Sequence, residues 1–104
     1  MAEAIKIRAT VSGEFVEVKA RMTHIMETGL RKDPASGQVV PAHFVKQVIA
    51  TLNGNVVLDA QWGPSVSKNP VLGFRLKGAK AGDKLAIKAT DNKGETLSGE
   101  TSVV

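Results

Sequence analysis

Period-two alternation of apolar and polar residues most narrows what this chain can fold into. It is cleanest where Val16, Val18, Ala20 and Met22 alternate with Glu17, Lys19, Arg21 and Thr23. Successive side chains of a strand point to opposite faces, so such a run buries one face and wets the other. The pattern returns at residues 5–11, 56–62, 72–76 and 85–89, and residues 44–52 and 97–103 complete a set of seven expected strands. Turn residues punctuate the set at Ser12-Gly13, at Asn53-Gly54-Asn55, between Gly78 and Gly82, and at Asp91-Asn92-Lys93-Gly94. Asn-Gly between two such runs signals a hairpin, because both residues tolerate positive φ. Gly99, inside the last run, is expected to mark a bulge. Seven short strands at this spacing, with no run of helical period, predict an all-β chain: an immunoglobulin-like two-sheet antiparallel sandwich. At 104 residues the chain is expected to form a single domain, 1–104.

One stretch does not alternate. Residues 21–45 lie between the second and third expected strands, longer than most connections in a compact domain. They hold both histidines, His24 and His43, together with Met22 and Met26. Ile25, Leu30, Val39, Val40 and Phe44 make the stretch too apolar for a solvated linker. It therefore folds over an open end of the sandwich or meets another protein, and Gly29 and Gly37 let it turn back on itself. Interface cores are apolar, with methionine and aromatics enriched. On that ground Ile25, Met26, Glu27, Thr28, Leu30, Val39, Val40, His43 and Phe44 are the expected partner-binding residues, with Arg31, Lys32 and Asp33 as a polar rim.

The residues present exclude much chemistry. There is no cysteine, so no disulfide, thiolate ligand, thiol nucleophile or sulfur bound covalently to a thiol of this chain. Ser65 and Ser67 sit in a Gly/Pro-rich loop without the Gly-x-Ser-x-Gly elbow of a serine hydrolase. No glycine-rich turn opens a helix to cradle phosphate. No catalytic or cofactor-binding residue is expected. His24, Glu27 and His43 are the one set that could hold zinc or iron, as in a small histidine-ligated redox protein. Their spacing fits no local ligand motif, and the iron of superoxide reductases, themselves small immunoglobulin-like domains, needs four histidines and a cysteine.

The net charge is +4, and residues 66–93 hold seven basic residues against two aspartates, leaving −1 for the rest of the chain. Lys68, Lys77, Lys80, Lys84 and Lys88 are the expected steering surface for an acidic partner. Nucleic acid is not expected, because the four aromatics Phe15, Phe44, Trp62 and Phe74 offer no stacking platform. Nor is a membrane, since no run approaches the length of a spanning helix and the first ten residues lack a signal-peptide core.

Taken in order, His24-Ile25-Met26-Glu27-Thr28-Gly29, Pro41-Ala42-His43-Phe44, Asn53-Gly54, Ala60-Gln61-Trp62-Gly63-Pro64, Ser67-Lys68-Asn69-Pro70, Gly82-Asp83 and Asp91-Asn92-Lys93-Gly94 closely resemble the SoxZ family. Its members are the Z subunits of the SoxYZ carrier of bacterial thiosulfate oxidation. The resemblance covers essentially the whole chain. Ala89-Thr90 departs from it, where an aromatic residue is expected before Asp91. It implies a non-catalytic subunit without cofactor, in a heterodimer with a SoxY-type subunit that bears sulfur intermediates on a C-terminal cysteine. The Sox enzymes would be transient partners, and the location periplasmic, with export on the signal of the partner.

Overall fold

A computed structural model describes residues 5–63, 66 and 68–104 of the chain. The first four residues and Ser65 and Ser67, considered above as nucleophiles, lie outside them. The described residues form seven strands: β1 (Ile5–Ser12), β2 (Phe15–Met22), β3 (Val45–Leu52), β4 (Asn55–Gln61), β5 (Val71–Lys77), β6 (Lys84–Asp91) and β7 (Thr96–Ser102). Each expected strand is there, shifted by a residue or two at its ends.

The strands divide into a three-stranded sheet, β1-β2-β5, and a four-stranded sheet, β4-β3-β6-β7, both antiparallel throughout. The alternation chooses the buried faces. Ile5 and Ala9 of β1 and Val16, Val18, Ala20 and Met22 of β2 meet Val45, Val48 and Ala50 of β3 and Leu85, Ile87 and Ala89 of β6. Phe44, Trp62 and Phe74 pack against this core from its margins. The β3–β4 hairpin turns on Asn53 and Gly54, both at positive φ (51° and 85°), as the sequence predicts. Val56, expected on the buried face of β4, is 63% exposed. The β3–β4 register shifts at Ala50/Thr51, and β4 is an edge strand, so this end of its apolar row runs past the core.

Gly99 is not a bulge. It stands in regular register opposite Ile87 and faces β1. A Cβ there would overlap the Ile5 carbonyl oxygen and lie 3.0 Å from its carbon. β7 and β1 thus close one side of the sandwich only because this position carries no side chain. The chain end completes the closure, with Val11 N–H donating to Val104 O at 2.9 Å and Val104 N–H to Ala9 O at 3.0 Å.

The expected basic half does not form one surface. Lys68 precedes β5, Lys77 ends it on the outer face of β1-β2-β5, Lys80 lies in the turn that follows, and Lys84 and Lys88 share the outer face of the other sheet. Cations gather instead on the outer face of β1-β2-β5, where Lys6 lies opposite Arg21 and Arg8 opposite Lys19.

Candidate functional site

Residues 23–44 form no strand or helix, yet they are not unpaired. They leave the end of β2, run out and return as a two-limbed ribbon to the start of β3. Backbone bonds join the limbs: Glu27 and His43 exchange both (2.7 and 3.0 Å), Val40 N–H reaches Arg31 O (2.8 Å), and Asp33 N–H reaches Gln38 O (2.8 Å). Two isolated bridges, Glu27–His43 and Lys32–Val39, mark the same pairing. At the tip Gly37 N–H closes the turn on Asp33 O at 2.7 Å. Gly29 (φ 85°) bends one limb against the other, and a Cβ there would sit 3.1 Å from that of Ala42.

A buried polar cluster anchors the ribbon. Asp91, at the end of β6 and 3% exposed, holds His43 Nε2 at 2.8 Å and His24 Nε2 at 3.4 Å, both on Oδ2. Its Oδ1 accepts the Lys93 and Glu95 amides, each at 2.9 Å, which fixes the β6–β7 turn. The imidazole rings meet edge to face, centroids 4.6 Å apart. Burial pushes the Asp91 pKa up, but the bonds from His43, the Glu95 amide, His24 and the Lys93 amide outweigh it and hold the carboxyl below its ordinary range. Two asparagines complete the clamp. Asn69 exchanges bonds with the His24 backbone (2.9 and 3.1 Å), and Asn92 does so with Phe44 (2.9 Å each way) while its amide reaches Ala42 O (2.9 Å).

His24, His43 and Asp91 each place a ligand atom within 4.8 Å of the others. Glu27, the carboxylate expected from the sequence, is not among them: its side chain binds Arg31 at 2.7 Å on the outside of the ribbon. Hydrogen bonding engages all three groups with one another and with the ribbon. The Met26 amide donates to His24 Nδ1 at 3.1 Å, so that nitrogen is the acceptor of a neutral imidazole and Nε2 carries the proton. Nε2 donates to Asp91, and the cluster is a structural latch between the ribbon and the four-stranded sheet.

The latch leaves part of the ribbon bare. Ile25 (51% exposed), Leu30 (86%) and Val39 (52%) present apolar side chains to solvent. Thr28 is exposed and its hydroxyl accepts the Leu30 amide at 3.0 Å. Val40 is half-buried, as are Glu27, His43 and Phe44 nearer the base. Met26 differs from the other expected contact residues. At φ 50° its side chain turns inward, is 5% exposed, joins the core and accepts the Val45 amide on Sδ at 3.3 Å. An aspartate there would bury an unpaired charge and test folding rather than binding. Sequence reasoning missed Asp91 as an anchor. It lies 67 and 48 residues from its histidines, inside a turn signal that explains it locally.

No curated protein matches the chain. Its fold is similar to that of a hypothetical protein from Pyrococcus horikoshii, with a TM-score of 0.65 over 98% of this chain and 88% of that one, at 15% identity. That identity supports a shared fold only. The family described as "Sulphur oxidation protein SoxZ" matches residues 5–102, including both sheets, the ribbon and the Asp91 latch, and the chain belongs to that family, a subunit of the Sox sulfur-oxidation system.

Proposed function

We propose that this chain is the non-catalytic half of a two-chain sulfur carrier. It holds a SoxY-type subunit, whose C-terminal cysteine bears the sulfur intermediate, and presents it to the periplasmic enzymes that oxidise thiosulfate. Membership of the SoxZ family supports the partner and the pathway. The lack of any cysteine in the sequence agrees with that division of labour, in which the sulfur sits on another chain.

The observation that carries the docking mode is the ribbon: Ile25, Leu30 and Val39 are exposed on a support that is itself hydrogen-bonded and latched to the core. Apolar side chains on a rigid element lose little freedom on docking, so most of their burial appears as affinity. Leu30→Asp tests this, because a residue 86% exposed contributes little to the isolated fold. The variant is expected to unfold like the parent, while its affinity for the Y subunit falls by about a hundredfold, equivalent to ~2.7 kcal/mol. Titration calorimetry against purified Y subunit measures it. Unchanged affinity would move the interface off the ribbon.

A further inference from the structure

The outer face of β1-β2-β5 is a grid of four rows whose charges are nearly all of one sign. In register, Lys6 lies opposite Arg21 and that opposite Val71; Arg8 opposite Lys19 and that opposite Gly73; Thr10 opposite Glu17 and that opposite Arg75. Phe15 and Lys77 pair at the far end. Six cations (Lys6, Arg8, Lys19, Arg21, Arg75, Lys77) thus face solvent with one carboxylate, Glu17, which reaches Arg75 at 3.4 Å. Among the described residues the other five have no ion-pair partner.

Like charges directly across a strand pair destabilise it, and here two consecutive pairs are alike. The opposite sheet shows no such bias, with Lys84 and Lys88 mixed with Asp59 and Glu100 on its outer face. Lys6, Arg8, Lys19, Arg21 and Val71 also rim a shallow depression. Exposed Val71 (59%) and Phe15 (39%) add apolar contact at the two ends of the face.

We propose that this face docks the acidic surface of a protein partner in a transient, electrostatically steered encounter. A permanent subunit would have to desolvate the cations, and long-lived interfaces exclude charge from their cores. Steering raises association rate, which suits a partner that must arrive and leave on each cycle. A stacked single strand of nucleic acid would need aromatic platforms, and Phe15 is the only aromatic on the face. The identity of the partner, an enzyme acting on the carried sulfur, rests on the carrier reading; the surface does not.

The experiment reverses one cation per pair. Lys6→Glu with Lys19→Glu turns both like pairs into opposite ones, so the variant should fold at least as stably as the parent. Lys84→Glu with Lys88→Glu changes net charge equally off this face. At low salt, a labelled poly-L-glutamate peptide is expected to bind the full-length first variant roughly tenfold more weakly than the parent, and the control variant within about twofold. Equal weakening in both would mean diffuse net charge and overturn the proposal. So would equal or tighter, equally face-dependent binding of duplex DNA or of phosphatidylserine vesicles. In a reconstituted thiosulfate-oxidising system with the Y–Z complex, the first variant should hold the Y subunit normally yet slow turnover roughly fivefold at limiting carrier and flatten its salt dependence. An unaffected turnover would equally overturn it. If the parent chain fails to hold the Y subunit, the carrier reading falls and the peptide comparison still decides the face.

Discussion

Replacing Asp91 by asparagine isolates what the latch contributes, because the shape is kept and only charge and one acceptor are lost. The carboxylate accepts at 2.8 and 3.4 Å from the imidazoles and at 2.9 Å from each of two amides. An asparagine oxygen can serve the Lys93 and Glu95 amides, which leaves its NH2 facing the rings. His43 can answer by changing tautomer. His24 cannot, because the Met26 amide holds its Nδ1 as acceptor and keeps the proton on Nε2. The variant therefore sets donor against donor at a site where His24 is only 7% exposed. One orphaned buried donor costs about 1–3 kcal/mol, and loss of charge from the remaining bonds costs a further fraction, so the sum is about 3 kcal/mol. For a domain of this size that is roughly 10–20 °C in Tm.

Urea unfolding of parent and variant at pH 7 and near pH 3 measures this. The Asp91 pKa is lowered in the fold, so its contribution is fully present above the unfolded value of about 3.9 and lost as pH falls through the folded value. The difference between the proteins should therefore be largest at neutral pH and shrink in acid. A difference below about 1 kcal/mol at pH 7, or one that persists undiminished in acid, would refute the latch as described.

Gly99→Ala should destabilise the chain by about 1–3 kcal/mol in the same urea assay, because the added carbon overlaps the Ile5 backbone and one sheet must move; a variant as stable as the parent would mean β1 and β7 separate freely. Zinc in tenfold excess should leave Tm unchanged, since binding to the folded state would raise it by linkage, and a clear rise would restore the two histidines as ligands.

The fold was legible because alternation is local: each strand declares its buried face within its own few residues. Sheet membership was not, since β2 pairs with β5 across a gap that contains β3 and β4. The ribbon's pairing was not legible, because its limbs meet only at separated points and lack alternation. Its apolar residues were visible, but Met26 and Leu30 look alike in sequence and are told apart by a backbone angle. The metal reading had the right histidines and the wrong carboxylate, because Glu27 is the nearer one in sequence and Asp91 in space. Charge misled most plainly. Four of the six cations on the β1-β2-β5 face come from the part of the chain whose sum is −1, where acids such as Glu27, Asp33, Asp59 and Glu100 balance them in the count but lie in the ribbon or the other sheet.

These placements bear on how two kinds of contact could share so small a body. The row of Lys6, Arg21 and Val71 lies at the end of the sheet where β2 hands over to the ribbon, so the basic face and the apolar ribbon meet at Arg21 and Met22. Their chemistry differs along that seam. Ile25, Leu30 and Val39 gain from burial in a way that salt barely changes, which suits a lasting joint. The cations act at a distance and lose their reach as salt rises, which suits a visitor. On the proposed reading, a subunit fixed to the ribbon would bring its sulfur-bearing arm beside the face that attracts the enzymes. Moving the charge to the Lys84/Lys88 surface while preserving net charge should then slow turnover without loosening the heterodimer. A chain rebuilt in that way with parental turnover would show that the adjacency of the two surfaces has no part in function.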